Sequence, residues 1–134
     1  MTEVRLFLAD RRGGWSELTD GDQRPVRVAA ADLQQARKAR ARIRAGGEDV
    51  AVILDITVAV ASDFRSARSV LGPADHTVHY AGTVDGLAGL ISDIASADVA
   101  DGVTLIPASA RHDLRDLGRD VLQRLVNRDQ PRAS

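Results

Sequence analysis

Hydrophobic and polar positions along the chain fall into two repeating patterns. Runs that are apolar at successive or alternate positions favour strands, at 3–10, 26–30, 50–60 and 101–108. Apolar residues three and four apart favour helices, at 32–45, 62–71, 83–97 and from 111–113 to 125. Residues 76–81 fit either a short strand or an extended connector. Because strands alternate with helices, the pattern predicts an α/β fold with a mainly parallel sheet.

The run VAVILDITVAV at 50–60 is the most apolar segment of the chain. It is apolar at both odd and even positions, which is typical of a strand buried on both faces of a parallel sheet. We expect Ile53 and Ile56 to be buried and residues 103–106 to lie beside or near this strand. Asp55 interrupts the run, and a buried carboxylate needs a partner or a shifted pKa. An arginine partner is the favoured explanation, and a functional carboxylate is the alternative.

Capping and turn residues indicate where the helices and loops begin and end. Asp32 opens the first helix, and Gly46 with Gly47 closes it as a left-handed C-cap would. The polar stretch 11–25 is interpreted as a turn-rich loop that holds Trp15, the single tryptophan. The remaining helix boundaries are expected at Ser62 or Asp63, at Gly72-Pro73 and at Thr83.

Composition and charge narrow the class of protein. With 134 residues, 44% of them apolar and 28% charged, the chain is expected to form one globular domain over 1–126 and a tail over 127–134. The net charge of −1 and the few aromatic residues argue against nucleic-acid binding, although residues 37–44 form a basic helix face. Without cysteine, a signal peptide or a membrane-spanning run, the expected location is the cytoplasm.

Two groups of residues are candidates for binding. Gly82 and Thr83 start a helix, where backbone N–H groups and the helix dipole are able to hold a phosphate. The favoured explanation is nevertheless that Thr83 is only an N-cap and that Gly82 only turns the chain. His76 and His79 are three apart, which places them on opposite faces of a strand, and with no third ligand evident no metal site is expected.

Two further glycines, Gly86 and Gly89, fall in the first turns of that same helix. Each glycine inside a helix costs about 1 kcal/mol relative to alanine, so the chain must gain something by keeping them. Both lie off the apolar stripe of the helix. They therefore let a strand, a neighbouring helix or a ligand come close, and close packing is the favoured use.

The segment 80–125 resembles the carboxyl-terminal end of the bacterial luciferase-like flavin-dependent monooxygenases. The resemblance rests on Gly82-Thr83 at a helix start, on Ala100-Asp101-Gly102 before an apolar strand ending in Pro107, and on the leucine-rich helix after His112. Residues 31–68 are similar to the helix, buried strand and acidic helix that precede this end. In all, the resemblance covers about residues 26–126.

This resemblance implies a partial TIM-type barrel, a parallel sheet of βα units from its carboxyl-terminal part. It implies an oxidoreductase that uses reduced FMN or a deazaflavin on a small organic substrate, with Gly82 and Thr83 touching the phosphate end of the cofactor. Two features depart from the family. Val84-Asp85 stands where the family has Pro-Glu after Gly-Thr, and the chain supplies only about the last three or four of the eight βα units of a complete barrel. Flavin binding by the isolated chain is therefore expected to be weak or absent.

Two functions follow as hypotheses. The first is a truncated luciferase-like oxidoreductase domain of the monooxygenase type. The second is a non-catalytic binding or scaffold protein, derived from such a barrel, that forms a homodimer through an outer strand or through alanine-rich helix faces. The dimer is expected because a piece of a closed barrel has open sheet edges and helix flanks without neighbours.

Overall fold

A curled sheet of six strands with three helices on one face makes up the described part of the chain. The structure is a computed structural model and describes residues 4–10, 14–47, 49–60, 77–108 and 114–129. The elements are β1 (Arg5–Ala9), β2 (Trp15–Glu17), β3 (Arg24–Val28), α1 (Leu33–Ala45), β4 (Val50–Val60), β5 (Val78–Gly82), α2 (Val84–Ser96), β6 (Gly102–Pro107) and α3 (Leu114–Asp129). The α/β class predicted from the sequence is confirmed.

The sheet is mainly parallel, as predicted, but it is mixed and not the purely parallel sheet of βα units that the resemblance implies. Its strands lie in the order β2-β1-β6-β4-β3, β5 also pairs with β4, and among the described strands only β1 and β2 are antiparallel. The antiparallel strand lies within 11–25, so the interpretation of that stretch as a loop was wrong. The connection from β1 to β2 spans residues 10–14, too few for the crossover that a parallel neighbour requires.

Strand β4 is the centre of the sheet. Its first half pairs with β3 and its second half with β5 along one edge, while β6 pairs with the middle of β4 along the other. Ile53 and Ile56 have no solvent exposure. Both the burial of this strand and the neighbouring position of residues 103–106 are therefore confirmed. With eleven residues, β4 is long enough for β3 and β5 to pair one after the other along one edge, while β6 pairs along the other edge.

All three helices pack their apolar stripes against the same face of the sheet, which we call the outer face. Helix α2 buries Leu87, Ile91 and Ile94, and α1 buries only Ala36. Asp32 and Thr83 cap α1 and α2 as predicted, and Gly47 after α1 has a positive φ of 79°. The opposite face of the curled sheet is called the inner face below.

Some predicted boundaries shift and others fall outside the described residues. The strand expected at 26–30 is Arg24–Val28, and α3 continues to Asp129, three residues beyond the predicted domain end. The helix expected from Ser62 or Asp63 to Leu71, the stop at Gly72-Pro73 and His76 lie outside the described residues. None of the helices in the described ranges combines the length and the apolar character needed to cross a membrane.

A buried ion pair fixes the segment that follows β1. Arg5 is 8% exposed and donates from Nε and Nη2 to the two carboxylate oxygens of Glu17, at 2.8 and 2.6 Å. Its Nη1 donates to the carbonyl oxygen of Gln23, and Thr19 donates its hydroxyl to Glu17. These bonds join β1, β2 and the turn before β3. The hydrogen bond from Arg5 also holds the pKa of Glu17 below its usual value.

We expect Glu17→Gln to lower the free energy of unfolding by about 3 kcal/mol near neutral pH, because it leaves the buried Arg5 guanidinium without its charged partner. Since the pKa of Glu17 is lowered by folding, its contribution is present above the usual glutamate range near pH 4 and is lost as the pH falls through the folded pKa. Urea unfolding at neutral and acid pH measures both effects.

The control for this prediction is Asp20→Asn, which removes an exposed carboxylate from the same turn. It should change the free energy of unfolding by less than about 0.5 kcal/mol at either pH. Equal stabilities for Glu17→Gln and Asp20→Asn at neutral pH would show that the buried ion pair contributes nothing.

Candidate functional site

Gly82 and Thr83 lie where β5 ends and α2 begins. Thr83 has extended backbone angles, and its Oγ1 accepts the backbone N–H of Gly86 at 3.1 Å, which is the geometry of an N-cap. Tyr80 donates its hydroxyl to the carbonyl oxygen of Thr83 at 2.8 Å. A side chain on either Gly82 or Gly86 would collide with that hydroxyl. The two glycines therefore make room for Tyr80, and for Gly86 the predicted close packing is confirmed.

The electrostatics of this helix start are less favourable to an anion than the sequence indicated. One of the free N–H groups is already bonded to Thr83, and Asp85 places a carboxylate in the first turn. That carboxylate lies 3.4 Å from Nη1 of Arg124 on α3, and both side chains are exposed. Asp85 complements the positive end of the helix dipole, as a bound phosphate would, and repels a second negative charge.

Trp15 covers the inner face of the sheet. Its ring stacks on Phe7 with centroids 4.6 Å apart, and its Nε1 donates to Oγ1 of the fully buried Thr104 at 3.0 Å. Phe7 belongs to β1 and Thr104 to β6, so one side chain of β2 reaches across two neighbouring strands. The sequence indicated this role only weakly, because a single tryptophan in a polar, glycine-rich stretch resembles a loop residue.

Arg27 of β3 meets Trp15 from the far end of the sheet. Its guanidinium carbon lies 5.7 Å from the Trp15 ring centroid, and its Nε donates to Asp55 at 2.8 Å. Because β2 and β3 are the two ends of the main strand order, this contact shows how strongly the sheet curls towards its inner face. Asp55 is 8% exposed and is held by an arginine, so the favoured structural explanation for its burial is confirmed.

Further along the inner face, β4 and β5 bring polar side chains together. The hydroxyls of Thr57 and Thr77 lie 2.7 Å apart, and Thr57 is the register partner of His79. Within the described residues, no three side chains of the types His, Cys, Asp or Glu are grouped so as to hold a metal ion. The Thr57–Thr77 hydrogen bond lies on the same face of β4 as the Arg27–Asp55 ion pair.

A depression of about 550 Å³ lies at the carboxyl end of β1. Trp15, Leu8 and Leu114 give it apolar walls, while Asp10 and Arg115 bring opposite charges to it. Gly82 lies at the carboxyl end of β5, paired with the last residue of β4. Both features are at the carboxyl ends of parallel strands, the end at which TIM-type barrels bind their ligands.

The Trp15–Thr104 bond predicts a measurable coupling. Thr104→Val should cost about 1–2 kcal/mol of unfolding free energy, because the indole N–H loses its acceptor. The same change should cost much less when Trp15→Phe has already removed that donor, which leaves a coupling energy of about 1 kcal/mol in a double-mutant cycle. Additive losses would contradict the bond. Tryptophan fluorescence follows unfolding in the Trp15-containing proteins, and circular dichroism follows it in all four.

Neither a scan against models of known protein families nor a search of curated proteins finds a match for this chain.

Proposed function

We propose that this chain is a non-catalytic binding or scaffold domain built on a partial, luciferase-like TIM-type barrel. The observation that carries the proposal is the start of α2, where Thr83 caps the helix and Asp85 supplies the negative charge. In the luciferase-like reading, this is the place that would hold the phosphate of a flavin. Because Thr83 already accepts a backbone N–H and Asp85 already supplies a negative charge, a phosphate would add little stabilisation to this helix end.

The curled sheet, with its helices on the outer face and its closely packed inner face, supports the barrel ancestry. The strand order departs from that of a complete barrel, in which consecutive βα units are neighbours. Here β4 lies between β5 and β6, although β5 and β6 are consecutive in the chain. We infer that the ancestral barrel order has been rearranged around the long strand β4, which would also alter any cofactor site shared between neighbouring strands.

The second candidate is a luciferase-like oxidoreductase that uses FMN or a deazaflavin on a small organic substrate. The depression beside Trp15 favours it, because its volume lies within the range of small-molecule pockets and it lies at the carboxyl ends of the strands. If this hypothesis is correct, the cofactor performs the redox step, while the protein binds the cofactor and keeps water away from the reacting atoms.

Titration with FMN and with a deazaflavin separates the two candidates. The proposal predicts no saturable binding of either cofactor in the micromolar range. Flavin fluorescence measures the binding during the titration, and the visible spectrum of the purified protein shows whether a flavin is already bound. Thr83→Ala should cost about 1 kcal/mol of stability through loss of the cap, and Thr83→Ser, which keeps the cap, should cost only a fraction of that. Stoichiometric yellow protein, or micromolar binding that Thr83→Ala weakens, would establish the oxidoreductase instead.

The scaffold reading includes a homodimer, and the sheet edges support it better than the helix surfaces do. Val126 is the one large apolar side chain classed as exposed in the described ranges. On the sheet, β3 carries Pro25 and two arginines, features that protect an edge from pairing. Strand β5 (VHYAG) carries no Asp, Glu, Lys, Arg or Pro and pairs with β4 alone among the described strands. We therefore favour β5 as the outer strand of a two-fold dimer.

Sedimentation equilibrium at micromolar concentration tests the dimer. The proposal predicts a mass of twice 14.3 kDa that dissociates on dilution. Ala81→Pro should weaken association, because proline removes a backbone N–H and disfavours edge pairing, whereas Ala81→Ser, which keeps that N–H, should not. A 14.3 kDa species at every concentration would rule the dimer out.

A further inference from the structure

Helix α1 is rich in positive charge. Five of its thirteen residues are Lys or Arg and none is Asp or Glu, whereas the whole chain carries a net charge of −1. The rest of the chain is therefore net acidic, and α1 stands out from it as a cationic segment. The five cations divide into two groups that lie on different sides of the helix.

The first group faces the sheet and is neutralised there. Arg40 donates from Nη2 to Oδ1 of Asp101 at 3.0 Å, and Nη2 of Arg44 lies 3.4 Å from each oxygen of the same carboxylate. Asp101 also accepts the backbone N–H of Val52 at 2.8 Å, which ties α1 to β4. These two arginines hold the helix in place and are not available to a partner.

The second group, Arg37, Lys38 and Arg42, is exposed on the side of α1 away from the sheet. Within the described ranges, none of the three forms an ion pair. The carboxylate nearest to them along the chain, Asp32, accepts the backbone N–H of Gln35 at 2.8 Å as the N-cap. Three positive charges on one helix face are thus left uncompensated.

Helix stability does not explain this group. Lys38 and Arg42 are four residues apart, a spacing at which like charges repel each other. Arg42 lies in the last turn, where a cation complements the helix dipole, but Arg37 and Lys38 lie too far from that end to gain from it. A negatively charged partner would turn the repulsion into attraction.

The exposed face has the layout of a surface on which another helix packs. Residues three and four apart form a row along its middle: Gln34, Lys38, Ala41 and Ala45. Because each residue turns the helix by about 100°, Arg37 lies on one side of this row and Arg42 on the other. The two small alanines let a second helix come close, and cations on both flanks resemble the charged positions that border the seam between paired helices.

The size of the face and its surroundings favour one kind of partner. A nucleic acid is held by more phosphate contacts than three cations provide, and the acidic remainder of the chain repels a long polyanion. A membrane-surface helix turns apolar side chains towards the lipid, whereas Leu33 of α1 packs against the core of the protein. A short acidic helix requires only the length of α1, about 20 Å.

We propose that the exposed face of α1 binds an acidic helical segment of a partner protein. Arg37, Lys38 and Arg42 pair with its carboxylates, and its backbone packs on Ala41 and Ala45. The proposal does not depend on whether a flavin binds near Gly82 and Thr83, nor on a dimer formed through β5.

Titration of the full chain at low salt with a peptide of about 20 residues tests the proposal. The peptide consists of Ala and Glu, with Glu at helical spacings of three and four. The readouts are the backbone amides of Ala41 and Ala45 in nitrogen–proton correlation spectra. We expect saturable shifts with a dissociation constant on the order of 0.1 mM that rises with salt. The same peptide with Gln in place of every Glu should produce none.

Matched variants assign the effect to α1. Arg37→Gln should weaken binding of the acidic peptide at least threefold, and Arg37→Gln combined with Lys38→Gln at least tenfold, while glutamine preserves the helix. Arg119→Gln removes the same charge from an exposed position of α3 and should leave binding nearly unaltered. Circular dichroism should show the same helix content in all variants.

Three results would each overturn the proposal. The first is the absence of saturable shifts with the acidic peptide. The second is an equal effect of Arg37→Gln and Arg119→Gln, which would show that only the net charge matters. The third is tighter binding of single-stranded oligothymidylate of equal charge, or of phosphatidylglycerol vesicles, which would assign the face to nucleic acid or to a membrane.

Discussion

Closure of the inner face by Trp15 is the constraint on which the rest of the fold depends. The helices cover only the outer face, so the apolar side chains on the other face, Phe7 and Ile53 among them, need a cover of their own. Trp15 supplies part of it, and its indole N–H satisfies the fully buried hydroxyl of Thr104. A large aromatic ring with one polar end suits this position, because it both packs and donates.

The pairing of β3 with β4 explains the placement of Asp55. A carboxylate on the most buried strand is costly unless it is paired, and Arg27 on the neighbouring strand β3, opposite Ile53, reaches it. The Arg5–Glu17 pair then fixes the strand that carries Trp15 against β1. Two ion pairs and one aromatic stack thus hold the two ends of the sheet in one geometry.

Local patterns in the sequence were sufficient to predict the central strand and the helix α2 that packs on it. The apolar run at 50–60, the stripe of α2 and the caps Asp32 and Thr83 are local signals, and each is confirmed. Strand β2 was not predicted because its three residues are too few to show an alternating hydrophobic pattern. They form a strand only because they pair with β1 in the folded chain. For the same reason the sequence predicted the mainly parallel sheet correctly but not its one antiparallel pair, β1 with β2.

The two ends of the sheet differ in how far local motifs predict them. At Gly82 and Thr83, the favoured interpretation as an N-cap is confirmed, and Tyr80 and Asp85 add a hydrogen bond and a negative charge beside that cap. At the other end, Asp101 was part of a family-like Ala-Asp-Gly motif, yet it pairs with Arg40 and Arg44 from the basic helix face at 37–44. These ion pairs join residues about sixty positions apart in the chain, which no local motif indicates.

The most direct test of the account is the nuclear magnetic resonance signal of the indole N–H, of which the chain has only one. If Trp15 closes the inner face, that proton exchanges slowly with solvent and shows a nuclear Overhauser cross-peak to the side chain of Thr104, 89 residues away in the chain. An indole proton that exchanges as fast as that of a free tryptophan, with no cross-peak to Thr104, would contradict it.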